Sequence, residues 1–152
     1  MHVVLFEPEI PPNTGNIMRL SANTASVLHL IHPLGFELDE AKLRRAGMDY
    51  REYADVREHA SFDAYLLAES PGRILAFTRN APTAYTDVQY RAGDALLFGR
   101  ESVGLSTEVL ARPEITAQLH IPMVPRSRSL NLSNSVAIVL YEAARQQGFP
   151  FA

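Results

Sequence analysis

Short, continuous apolar runs alternate along this chain with longer segments whose apolar positions recur periodically. The runs at 3–6, 27–31, 74–78 and 95–98 are rich in Val, Ile, Leu and Phe, and read as buried strands. A fifth strand is expected within 118–122. Over 13–25, Ile17, Met18, Ser21, Ala22 and Ala25 fall on one helical side, with Asn13 as the expected N-cap. Further helices are expected over 40–46, over 62–69 capped by Ser61, over 106–111, and over 132–147, where Gly148 takes the usual C′ position. Strands that are apolar throughout are covered on both faces. The predicted fold is therefore α/β, a single domain over 1–152 with a parallel sheet and helices on both faces. Such sheets bind ligands beyond the carboxyl ends of their strands. The loops after Phe6, Phe77, Phe98 and Ile121 are the places to look for function.

Composition narrows the possibilities. Apolar residues make up 47% and charged residues 20% of 152 positions, an ordinary globular balance that excludes disorder. The absence of Cys excludes a disulfide scaffold and thiolate metal or redox chemistry, and suits a reducing, cytoplasmic setting. The first apolar run is too short for a signal segment, and no run reaches membrane-spanning length, so no membrane partner is expected. A net charge of −3 argues against coating nucleic acid by bulk charge, while leaving room for a local basic site. Of the 14 basic residues only Lys42 is Lys. Arg suits planar phosphate and base contacts; biased codon usage is the plainer explanation.

Four loops gather small polar groups: 7–16, leading into a helix that carries Arg19, then 78–80, 99–105 and 121–134. The common nucleotide motifs are missing: there is no G-x-G-x-x-G and no Gly-rich loop holding Lys42. There is no G-x-S-x-G elbow either. His2, His29, His32, His59 and His120 show no metal-ligand spacing, so no metal is expected. Ser129 and Ser133 have no adjacent base to make them nucleophiles. Gly99 would let a ligand approach the backbone closely. Glu101 either caps the short helix that follows or serves a site, and Asn13 either caps its helix or serves the same site. Arg19 lies nearly two turns after Asn13 and is expected on the same flank, as a solvated side chain or a site residue. If 126–131 is extended, Arg126 and Arg128 point to one side, Ser129 and Asn131 to the other.

Three segments taken together are specific. Asn13-Thr14-Gly15-Asn16-Ile17-Met18-Arg19, Leu97-Phe98-Gly99-Arg100-Glu101-Ser102-Val103-Gly104-Leu105, and Ile121-Pro122-Met123 through Ser129-Leu130-Asn131-Leu132-Ser133-Asn134-Ser135-Val136-Ala137 resemble, in order and spacing, the three motifs of SPOUT-superfamily RNA 2′-O-methyltransferases. The opening Glu7-Pro8-Glu9-Ile10-Pro11-Pro12 and Leu43-Arg44-Arg45-Ala46-Gly47-Met48-Asp49-Tyr50 look like the minimal single-domain members that act on the tRNA wobble nucleotide.

The resemblance implies a C-terminal α/β trefoil knot, a homodimer and S-adenosylmethionine as methyl donor, leaving S-adenosylhomocysteine. It also implies the tRNA anticodon stem-loop as partner. By motif match, Phe77, Gly99, Ile121 and Ser129 hold the cofactor, helped by Met123 and Leu130. Asn13, Arg19, Glu101, Ser129 and Asn131 occupy the catalytic positions, and Arg100, Arg126 and Arg128 are placed for RNA. Tyr141 and Arg145, four apart on the last helix, suit a dimer face or an RNA contact. Methylation of another RNA is the nearest alternative, and a non-catalytic RNA-binding module the next. A Rossmann oxidoreductase is disfavoured by the missing glycine fingerprint.

Overall fold

The computed structural model describes residues 1–38 and 54–152, so the helix expected over 40–46, the 43–50 motif and Lys42 lie outside the described residues. The described strands are β1 (His2–Phe6), β2 (Val27–Ile31), β3 (Asp55–His59), β4 (Ile74–Phe77), β5 (Thr83–Ala84), β6 (Ala95–Phe98) and β7 (Ile115–His120). The described helices are α1 (Pro11–Asn23), α2 (Phe62–Glu69), α3 (Thr107–Leu110) and α4 (Leu132–Gln146). Among the described residues the strands form one sheet in the order β3-β2-β1-β6-β4-β7-β5, and every pairing is parallel.

Alternation along the strands divides the core in two. Val3, Leu5, Leu28, Leu30, Leu75, Phe77, Leu96 and Phe98 pack with Ile17 and Met18 of α1 and Val136, Val139, Leu140 and Ala143 of α4. The opposite face sets Val4, Ile31, Ile74, Ala76 and Leu97 against Phe62 and Tyr65 of α2 and Leu105 and Val109 around α3. Each such Val, Leu, Ile, Met or Phe side chain, where fully buried, contributes about 1.5–3 kcal/mol. Helices therefore cover both faces, as the continuous apolar runs predict.

Local corrections have physical causes. Pro11 and Pro12 occupy the first turn of α1, where a missing N–H costs nothing, so the helix begins at Pro11 and its N-cap position is Ile10. Asn13 lies inside that turn and does not cap it. The helix stops at Asn23 rather than 25 because Ala25 takes a left-handed backbone (φ 49°). Strand β3 is a charged edge strand, Asp-Val-Arg-Glu-His, and has no apolar run to announce it. Strand β7 begins at Ile115 and ends at His120, where its neighbours Phe77 and Ala84 run out. Ser61 and Ser106 cap α2 and α3 as side-chain acceptors, and Gly148 (φ 72°) follows the end of α4.

The order of chain placement positions the site. The chain lays down β1, β2 and β3 on one side and β4 and β5 on the other; β6 then enters between β1 and β4, and β7 between β4 and β5. The 78–82 connection consequently spans the carboxyl end of β7: Thr78 N–H donates to Leu119 O and Tyr85 N–H to His120 O, one on each side.

Candidate active site at the carboxyl edge of the sheet

Three loops meet beyond the carboxyl ends of the central strands. The first follows β1. Gly35 N–H donates to Pro8 O at 2.9 Å, and a Cβ on Gly35 would lie 2.8 Å from the Glu9 Cα, so the loop is held against a position that tolerates no side chain. The second follows β6 and folds back on itself: Gly104 N–H donates to Arg100 O at 2.8 Å. There a Cβ on Gly99 would meet Gly104 C at 2.2 Å and Leu105 N at 2.3 Å. Gly99 is thus needed by its own loop, whatever its backbone meets on the other side. The third, 121–131, leads into α4.

Glu101 joins the first two loops. Its carboxylate accepts from the N–H of Glu9 (2.8 Å) and of Ile10 (3.1 Å) and from Asn13 Nδ2 (3.3 Å). Glu101 therefore fixes the two backbone N–H groups that lead into α1, and its negative charge sits at the positive end of that helix. It does not cap α3, where Ser106 does so. The bracing is mutual, because the Glu9 carboxylate accepts from Ser102 N (3.0 Å) and Ser102 Oγ (2.8 Å). Arg100 forms an ion pair with Glu7, so this residue, expected at RNA, is also a brace between the same loops.

Asn131 brings in the third loop. It caps α4, its Oδ1 accepting from Ser133 N (2.9 Å), Asn134 N (3.3 Å) and Ser133 Oγ (2.6 Å). Its Nδ2 donates to Asn13 Oδ1 at 2.9 Å. The polarity of the chain is fixed at both ends: backbone donors at Ser133 and Asn134 demand Oδ1 of Asn131, and the Glu101 acceptor demands Nδ2 of Asn13. Asn13 is 5% exposed, so losing either partner would strand a buried amide group.

The other predicted residues are placed as follows. Phe77, Gly99 and Ile121 stand at or just beyond the ends of the neighbouring strands β4, β6 and β7, and the Phe77 ring stacks on Phe98 with centroids 4.7 Å apart. No strand forms over 121–131. Arg126 takes a left-handed backbone (φ 65°) in a turn, which breaks the regular alternation that an extended stretch would give Arg126 and Arg128 against Ser129 and Asn131. Ser129 and Leu130 are exposed and Met123 half-buried. Arg19 lies on the exposed side of α1, away from the buried side that carries Asn13, so the two do not share a flank. Arg145 pairs with Glu142, and Tyr141 packs edge-on against Phe151.

Sequence reasoning missed three participants. Glu9 and Ser102 complete the mutual bracing, and Arg79 donates from Nη2 to Ser127 O at 2.6 Å, tying the loop after β4 to the third loop. The available signal was position alone: each lies in a loop at a strand's carboxyl end.

Comparison with known proteins matches the fold and places the chain in a family. Residues 1–141 match the SpoU rRNA Methylase family. A tRNA (cytidine(34)-2'-O)-methyltransferase of Escherichia coli is 51% identical over 152 residues, covering 100% of this chain and 97% of that one. A crystallised protein from Bacillus anthracis superposes with a TM-score of 0.92 at 43% identity, over 98% of this chain and 95% of its own. A structure solved in work on 2-OH methylation of C/U34 on tRNA gives 0.89 at 48% identity, over 97% and 95%. With a family model matching 141 of its residues and a full-length relative at 51% identity, the chain belongs to the SpoU rRNA methylase family.

Proposed function

We propose that this protein is an S-adenosylmethionine-dependent tRNA 2′-O-methyltransferase that modifies the ribose of the wobble cytidine or uridine in the anticodon loop. The observation that carries the reading is the chain Glu101–Asn13–Asn131, which unites one residue from each of the three motif loops. The relatives at about half identity bear that activity in their names.

The residues present fit the cofactor. The adjacent backbone ends at Phe77, Gly99 and Ile121 offer donors and acceptors side by side, and Met123 and Leu130 offer apolar atoms to an adenosine. Ser127 in the same loop has a buried hydroxyl oxygen with no hydrogen-bond partner among the described residues. The sulfonium of the cofactor supplies a methyl group whose leaving group is a neutral thioether, so the reaction draws on no metal. What the protein must do is position a ribose 2′-hydroxyl in line and help it lose its proton.

Arg19 is a poor base, because a guanidinium is not deprotonated in proteins. Exposed on α1, it binds the adjacent phosphate and stabilises the developing alkoxide, and the proton leaves to a phosphate oxygen or water. Ser129 and Asn131 fix the hydroxyl or the methionine end, and Glu101 holds Asn13 and the α1 terminus in place. Arg126 and Arg128, both exposed beside the site, meet RNA phosphate. Specificity rests on loop shape and splayed bases rather than on bulk charge.

A second copy completes the assembly. Ile138 and Tyr141 of α4 and Phe149 beyond it are 37–45% exposed, an apolar stripe suited to burial against another chain. β7 entering between strands already laid down suits the expected knot. Among the described residues no helix is long and apolar enough to cross a membrane. A tRNA substrate places the protein in the cytoplasm.

The family's description names rRNA, so the competing substrate is ribosomal. Methyl transfer to a defined set of tRNAs and rRNA fragments, with the modified nucleotide mapped, separates the two. Methylation of the wobble ribose is expected. Methylation elsewhere overturns the substrate, and cofactor binding without transfer to any RNA overturns the catalytic reading.

A further inference from the structure

Three histidines distant in sequence meet on the sheet face beneath α2. His2, His29 and His59 come from β1, β2 and β3, and their rings form a ladder with centroids 5.1 and 5.2 Å apart. His2 Nδ1 lies 2.9 Å from His29 Nε2, and His29 Nδ1 lies 2.9 Å from His59 Nε2. Glu69, the last residue of α2, brings Oε1 to 3.8 Å from His29 Nδ1 and 3.9 Å from His59 Nε2. Tyr65 covers both His29 and His59 with its ring, 5.2 Å from each. None of these residues belongs to the methyl-transfer site.

We propose that His29 Nδ1, His59 Nε2 and Glu69 Oε1 form a structural site for one divalent cation of the zinc class, with His2 orienting His29. The three atoms make a triangle of 2.9, 3.8 and 3.9 Å, and the point equidistant from them lies about 2.1 Å from each, a zinc–nitrogen or zinc–oxygen bond length. Two imidazoles and a carboxylate suit zinc by donor type and leave a fourth position for water. Among the described residues, His2, His29 and Glu69 also each place a ligand atom within 4.8 Å of the others.

The surroundings orient the donors as an outer shell does. With His29 binding through Nδ1, its Nε2 carries the hydrogen and donates to His2 Nδ1. Arg57 holds the other Glu69 oxygen, Oε2, at 2.9 Å, which leaves Oε1 facing the imidazoles, and Asp55 balances the Arg57 charge at 2.7 Å. The site would staple β2, β3 and α2 together at the far edge of the sheet, apart from the reaction, which needs no metal.

The test uses untagged, chelator-stripped protein. Zn²⁺ is titrated in competition with a chromophoric chelator, and Co²⁺ is added separately to read its ligand-field absorption. One equivalent of Zn²⁺ per chain, a four-coordinate Co²⁺ spectrum and a rise in Tm on adding Zn²⁺ are expected. Glu69→Gln and His59→Asn should each weaken binding by about tenfold or more and remove the Tm rise. Glu69 lies at the end of a helix, so Glu69→Gln keeps the fold, checked by circular dichroism, and answers the question if His59→Asn does not fold. No Zn²⁺ uptake by the wild-type chain, or uptake unchanged in Glu69→Gln, overturns the proposal.

Discussion

Glu9 and Glu101 brace each other's loops. The Glu9 N–H donates to the Glu101 carboxylate at 2.8 Å, while the Glu9 carboxylate accepts from Ser102, the neighbour of Glu101, at 3.0 Å from N and 2.8 Å from Oγ. Two segments more than 90 positions apart are thereby locked through charge-assisted bonds at the carboxyl edge of β1 and β6. That lock sets the angle at which α1 leaves the sheet, and with it the position of Asn13 and Arg19.

Glu101→Gln tests the lock. Three N–H donors converge on the carboxylate, and an amide can accept on only one side. Its NH₂ would face a donor. A stability loss of about 2 kcal/mol is expected, measured by urea unfolding, because hydrogen bonds to a charged group contribute roughly that much each. Methyl transfer should fall further than the unfolded fraction explains, with cofactor binding measured by calorimetry less affected.

Asn131→Asp separates the two jobs of that residue. Asp caps a helix as well as Asn does, so Ser133 and Asn134 keep their acceptor. It has no N–H to offer Asn13 Oδ1, which then faces a carboxylate across 2.9 Å. Asn13 cannot turn over to compensate, because its Nδ2 is committed to Glu101. Stability should fall by about 1–3 kcal/mol in urea unfolding, because the Asn13 oxygen loses its donor, and turnover should fall by more than the unfolded fraction explains. Unchanged stability and turnover would show that Asn131 acts only as a cap.

How far the sequence can be read is visible in these same residues. Apolar runs revealed β1, β2, β4 and β6 because strands buried on both faces must be apolar, and they concealed β3 because a charged edge strand has no such need. Asn13, Glu101 and Asn131 could be picked out by motif resemblance, but not their partnership: the two asparagines are 118 positions apart, and no local period reports such a contact. The histidine ladder was illegible for the same reason, since ligand spacing along a chain says nothing about spacing across strands. The residue type of Gly99 is legible in the sequence, but not that the backbone of Gly104 and Leu105, which follows it, leaves no room for a side chain.

Gly99→Ala follows from that cause. The added methyl would lie 2.2 Å from Gly104 C and 2.3 Å from Leu105 N, both backbone atoms that cannot rotate aside. The 99–105 loop must move outward, carrying Glu101 from α1. Overpacking of this kind costs about 1–3 kcal/mol. Thermal unfolding should show that loss, and S-adenosylmethionine affinity by calorimetry should weaken in parallel, because Gly99 also stands among the strand ends proposed to hold the cofactor.

Acid should loosen the end of α4 through Glu142. Hydrogen bonds from Arg145 and then Gln146 hold its carboxyl down to about 2, against an ordinary value of 4.5. Gln146 links this pair to the rest of the fold, donating to Glu142 Oε1 at 2.9 Å and to Val88 O at 3.2 Å and accepting from Tyr90 N at 3.0 Å. A carboxyl held low in the folded state binds its proton more readily in the unfolded chain. Its stabilising contribution is therefore complete above pH 4.5 and is lost as the pH falls through 2. Glu142→Gln keeps the shape and removes the titration. In urea unfolding the wild-type chain should be the more stable at pH 6, and the difference should shrink steadily below pH 4.5. A gap between the two that stays constant from pH 6 to pH 2.5 would mean that the Glu142 charge contributes nothing to holding α4 against the 88–90 segment.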